Sequence, residues 1–103
     1  MAYAINHLHL KSADPERSAA WWAEAFNFRI VSDATRSFGD RFIVCRSENE
    51  INVMISSERS GEQLAAADAG AHLGLEHFGF DTDDMPRVDR VIIAKLKGFP
   101  MDI

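Results

Sequence analysis

A single cysteine, Cys45, is all the thiol chemistry in this 103-residue chain. That scarcity excludes an intrachain disulfide framework and paired CxxC metal ligands, and it suits a reducing cytoplasm. Cys45 lies in an apolar strand pattern, where a small buried residue is the expected role and a reactive thiol the alternative. Basic residues are also short: 11 Lys and Arg face 16 Asp and Glu, a formal charge of −5. Nucleic acid is therefore excluded as a partner, because binding a phosphate backbone depends on Lys and Arg neutralising phosphates. No apolar run approaches bilayer length and no charged-then-apolar leader opens the sequence, so no membrane partner is expected. A nucleophile elbow and a phosphate-cradling glycine loop are missing as well. With 47% apolar residues the chain can still form a core, and its length is that of one small domain.

What is present is a repeat. Residues 4–11, AINHLHLK, read as a strand with His7 and His9 on one face and Leu8 and Leu10 on the other. Residues 75–81, LEHFGFD, repeat the layout, with His77 in the place of His7 and Phe78 and Phe80 in those of the leucines. Each is followed by an acidic, proline-containing helix start, Asp14-Pro15-Glu16 and Asp84-Met85-Pro86.

After the first strand, Asp14 is a suitable N-cap, Pro15 suits the first helical position and Glu16 complements the positive helix end. Ala19, Trp22 and Phe26 form one apolar stripe, flanked by Trp21 and Ala25. Asn27 stands where a left-handed cap should end the helix. Residues 28–32, 41–46 and 51–56 read as three further strands, with turns at Phe38-Gly39-Asp40 and Glu48-Asn49-Glu50. The order is thus strand, helix, three strands. Residues 59–74 lack a convincing period apart from a turn of helix expected around 62–67, and they read as a linker or lid. A second helix, capped by Asp83 or Asp84, carries Val88, Val91, Ile92 and Leu96 and stops at Gly98. The units are a first module at 1–58, the linker at 59–74 and the start of a second module at 75–103.

Two imidazoles at matching repeat positions, His7 and His77, would meet across a shared cleft and suit a divalent metal. Ordinary half-buried histidines with hydrogen-bond partners are the competing account. His9 shares the face of His7 and is a substrate contact, a proton carrier or a rim residue. His72, in the linker, reads as a surface residue. On the fourth strand, Asn52, Met54 and Ser56 face the cleft by parity, and none is a good ligand for a hard metal. Glu76 points away from His77 by the same alternation. A third, carboxylate ligand is not identifiable.

The stretch INHLHLKSADPERSAAWWAEAFNF, through Phe28, resembles the opening motif of the vicinal oxygen chelate superfamily. That superfamily includes glyoxalase I, extradiol dioxygenases, and the fosfomycin- and bleomycin-resistance proteins. The matching positions are Ile5, Asn6, His7, Leu8, Leu10, Asp14, Trp21-Trp22 and Phe28, with Asn27 replacing the family's glycine. EHFGFDTDD at residues 76–84 resembles the start of its second module.

The resemblance implies an α+β fold of paired βαβββ modules, the second truncated after its helix. It implies one divalent metal (Fe, Mn, Ni or Zn) held by His7 and His77 and acting as a Lewis acid on a small-molecule substrate with vicinal oxygens. Substrate would meet His9, Asn52, Met54 and Ser56 in the cleft. Met54 stands where glyoxalase I branches carry a glutamate, which favours the branches that take a carboxylate from the last strand of the second module. That strand lies past residue 103, so a longer protein or a partner copy would complete the site. Unpaired sheet edges point to a homodimer. The expected function is a lyase/isomerase or ring-cleaving dioxygenase step; the alternative is a metal-free binding protein of the bleomycin-resistance type.

Overall fold

A computed structural model describes residues 2–67, 70, 71, 73–75 and 78–81. Its elements run β1 (His7–Lys11), α1 (Pro15–Phe26), β2 (Arg29–Thr35), β3 (Arg41–Arg46) and β4 (Asn52–Ser56). The strands form one sheet in the order β1-β4-β3-β2. β1 runs parallel to β4, and β4, β3 and β2 are antiparallel neighbours. This mixed α+β arrangement is the βαβββ module expected from the sequence.

Local chemistry explains the helix. Asp14 caps it, its carboxylate accepting from Arg17 N–H at 3.1 Å, and Pro15 occupies the first turn, where a missing N–H costs nothing. Asn27 ends it in the left-handed conformation at φ 57°, ψ 33°. Ser12 and Ser18, both buried, share a hydroxyl hydrogen bond of 2.7 Å that ties the end of β1 to the helix.

The helix packs mainly on β3 and β4. Ala19, Trp22, Ala25 and Phe26 meet Ile43, Cys45, Val53 and Ile55 from the sheet, with Phe28 closing the end. Leu8 and Leu10 face the same side from β1. Burial raises the Cys45 thiol to about 11, as the burial of a small strand residue requires.

Several boundaries move. β1 begins at His7 rather than residue 4, although Asn6 C=O still accepts from Asn52 N–H at 3.1 Å. β2 spans Arg29–Thr35 instead of 28–32: Phe28 turns into the core after the left-handed Asn27, and the ladder to β3 carries the strand on to Thr35. A register shift between Ile30 and Ser32 accompanies this extension. β4 starts at Asn52 rather than residue 51. Residues 62–67 are not helical. The Glu62 carboxylate there accepts from Arg59 N–H and pairs with Lys11, and Glu58 accepts from Leu64 N–H, so side chains take up backbone donors in place of a helical turn.

The described residues of the second repeat, 75 and 78–81, carry no strand pairing. Phe78 and Phe80 instead lie against α1: Phe78 stacks on Trp22 at 5.7 Å and Phe80 on Phe26 at 4.2 Å between ring centres. The expected second helix lies outside the described residues. Among the described residues no helix is long and apolar enough to cross a membrane.

Candidate functional site

Strand register decides which side chains share a surface, because directly paired residues point the same way. His7 pairs with Asn52, His9 with Met54 and Lys11 with Ser56. Across β4, Asn52, Met54 and Ser56 pair with Arg46, Val44 and Phe42. The sheet face turned away from α1 therefore carries His7, His9, Asn52, Met54 and Ser56 together. His77 lies outside the described residues, as do Glu76 and His72.

His7 is exposed at the start of β1, and its Nδ1–H donates to Asn6 Oδ1. One ring nitrogen is thus engaged by a neighbouring side chain, as the second nitrogen of a metal-binding imidazole usually is. Asn52 is less available, because its Oδ1 accepts from Arg46 Nε at 2.8 Å. Met54 adds a thioether between His9 and Val44. Among the described residues no group of three or more His, Cys, Asp or Glu side chains could hold a metal. The described residues thus offer one imidazole of the expected ligand pair, His7, and no carboxylate beside it.

His9 is better connected. Its Nε2 and the buried Ser56 hydroxyl share a hydrogen bond of 2.7 Å, and its ring stands edge-on to Phe42 at 5.3 Å. Partial burial lowers the His9 pKa, and Lys11, Arg36 and Arg59 lower it further, with Asp40 opposing them. These causes favour the neutral form of the imidazole.

Sequence reasoning missed the groups around His9. Arg36 lies 4.2 Å over the Phe42 ring and 5.1 Å from Phe38, and Arg59 lies 5.0 Å from Phe38 on its own account. The fully buried Asp40 anchors Arg36 through Nε and Nη2, the latter at 2.6 Å, and this pairing holds the Asp40 carboxyl below its usual range. The Arg-to-Asp spacing of four across the Phe38-Gly39 turn was the one available signal. The approach of Arg59 had none.

The opposite side of the sheet holds a cleft of about 470 Å³. Its walls are Leu8, Val53, Trp22, Phe26, Phe78 and Phe80, with the β3–β4 turn at its rim. It lies among the core side chains and is separated from the histidines by the sheet itself.

The family model of the Glyoxalase/Bleomycin resistance protein/Dioxygenase superfamily matches residues 4–94. None of the curated proteins matches the chain. In fold it is similar to a glyoxylase/bleomycin resistance protein/dioxygenase domain from Frankia sp. EAN1pec. The TM-score is 0.68 at 18% identity, over 94% of this chain and 73% of that one. It is also similar to a possible glyoxalase from Bacillus cereus, with a TM-score of 0.55 at 21% identity over 94% and 76%. With the βαβββ sheet and a match over most of its length, the chain belongs to the Glyoxalase/Bleomycin resistance protein/Dioxygenase superfamily.

Proposed function

We propose that the chain is a metal-dependent enzyme of this superfamily, working on a small substrate that presents vicinal oxygens to the open sheet face. The observation that carries the reading is His7, which the register places on that face with His9 and whose Nδ1 is engaged by Asn6. His7 and His77 would hold the metal, with a carboxylate from outside the described residues. A divalent ion there would supply Lewis-acid stabilisation of negative charge developing on the substrate oxygens.

The chain's own contributions are binding, orientation and proton handling. His9, favoured in its neutral form and fixed by Ser56, can accept a proton from a substrate carbon or hydroxyl and return it. Met54 and Val44 give the floor an apolar strip that keeps water from part of the substrate. The reaction class is a lyase/isomerase step or a ring-cleaving dioxygenation, carried out by a cytoplasmic homodimer.

The test is metal content by elemental mass spectrometry, on the wild type and on the His7→Ala/His77→Ala double variant. About one equivalent of Fe, Mn, Ni or Zn per chain, lost in the double variant, is expected from two imidazole ligands. A chain that stays metal-free after reconstitution sinks the enzyme reading.

A second reading, metal-free binding of an apolar or aromatic molecule, is favoured by the aromatic-walled cleft on the helix side. It would be supported if such ligands quench Trp22 fluorescence in a chain that takes up no metal.

A further inference from the structure

We propose that Arg36, Phe38 and Arg59 form an anion-recognition subsite beside His9, which takes the carboxylate of a planar small-molecule substrate. The proposal rests on the open face being the substrate face and adds the charge and shape of what it accepts.

The first argument is how the cations of the described surface are used. Arg41 is held by Asp33 and Glu16, Arg29 by Glu50, and Lys11 by Glu62 and Ser57 C=O. Arg59, like Arg17 on the helix surface, makes no ion pair with the described residues, and its guanidinium alone of these two lies over a ring, that of Phe38. Arg36 reaches Asp40 through Nε and Nη2, and its Nη1 has no hydrogen-bond partner among the described residues. Two guanidinium groups therefore converge on one phenyl ring, and with Lys11 they make three cations beside His9 against two carboxylates, Asp40 on Arg36 and Glu62 on Arg59 N–H and Lys11. In a chain of net charge −5 this is local positive excess, and an incoming oxyanion offsets it.

The second argument is that the arrangement is built. Arg36 N–H donates to Asp40 C=O at 2.8 Å and Gly39 N–H to Arg36 C=O at 3.0 Å, closing the turn that presents Phe38. Gly39 is required there: its φ is +88°, and a Cβ would run into the Ser60 hydroxyl. Ser60 N–H donates to Phe38 C=O at 2.8 Å, so the segment after β4 is stitched to this turn and Arg59 is delivered to the ring. Two segments more than twenty residues apart are joined by backbone hydrogen bonds at the point where the charges gather.

The third argument is shape. Phe38 is 52% exposed, an apolar plane left open to solvent between two planar donors. Guanidinium groups match carboxylates in planar, two-point geometry and stack on flat rings. A planar acid would lay its ring along Phe38 and turn its carboxylate to Arg36 Nη1 and Arg59. Phe42, under Arg36 and edge-on to His9, links this end of the face to the histidines.

The experiment uses benzoate and its uncharged counterpart benzamide, titrated into the metal-free full chain and followed by NMR at the arginine Nε–H and phenylalanine ring signals. Benzoate is expected to shift Arg36, Arg59 and Phe38, and benzamide to leave them in place. Arg59→Gln should raise the benzoate Kd about tenfold, the scale of one charge-assisted contact, while Arg17→Gln on the helix surface should not change it. Equal binding of the two probes would overturn the proposal. So would shifts confined to Trp22 and Phe80, or no response up to about 50 mM benzoate, weaker than any millimolar site. Metal content of Arg59→Gln, measured in parallel, separates the readings. Loss of metal uptake in His7→Ala with benzoate binding intact leaves the subsite standing, and normal metal uptake without benzoate binding removes the subsite alone.

Discussion

The two faces of the sheet are organised by different physics. Toward α1, Ile43, Cys45, Val53 and Ile55 are at most 2% exposed and pack against Trp22, Ala19 and Phe26. The stabilising agent there is the removal of apolar surface from water, which is non-directional and tolerant of sequence detail. On the other face, order comes from specific pairs: His9 with Ser56, Arg46 with Asn52, Arg36 with Asp40 and two rings. Each contributes little net stability and depends on direction. A face that holds its polar groups in fixed places at little gain in stability is suited to recognition, and the helix side to holding the fold.

That contrast can be broken by substitution. The largest effect is expected on the helix face, where Trp22→Ala removes a fully buried indole and should cost about 3–5 kcal/mol in chemical denaturation. A loss near that of a surface substitution would mean that the helix side is not the stabilising face.

Asp40→Asn comes next and probes the open face through pH. The folded-state pKa of Asp40 is depressed, so its contribution is complete above the ordinary carboxylate range and disappears as pH falls through the folded value. The stability gap between wild type and variant should thus be widest at neutral pH and close progressively in acid. A gap independent of pH would show that the Arg36 pairing is not what the carboxylate provides.

Smaller again is Gly39→Ala. It forces a Cβ onto a positive-φ residue against Ser60, with an expected loss of about 1–3 kcal/mol. If the Arg36–Phe38–Arg59 arrangement depends on this turn, the same variant weakens benzoate binding beyond what its stability explains. The smallest effect is at Cys45. Its thiol, raised to about 11 by burial, should react with iodoacetamide at pH 8 no faster than the chain opens. Rapid labelling of the native protein would mean that the helix face is not closed at that point.

Much of this was legible in the residues. Alternation placed His7 and His9 on one face and Leu8 and Leu10 on the other, and the same parity set Asn52, Met54 and Ser56 beside the histidines. The helix was readable to the residue, because Asp14, Pro15 and Asn27 act through bonds that close within one turn. β2 was less so. Asp33, Ala34 and Thr35, past the strand expected at 28–32, have no strand pattern of their own, and pairing with β3 extends the strand through them.

By itself, then, the sequence determined the helix with its caps, the two-sidedness of the strands and the apolar set that forms the core. Each of these follows from interactions between near neighbours or from a simple period. Only the tertiary structure decided that β1 lies beside β4, that Phe78 and Phe80 come to rest on α1, and that Arg59 meets the ring Arg36 also touches. Those contacts join residues far apart in the chain, and their partners are set by which loop closures the packed core permits rather than by any local preference.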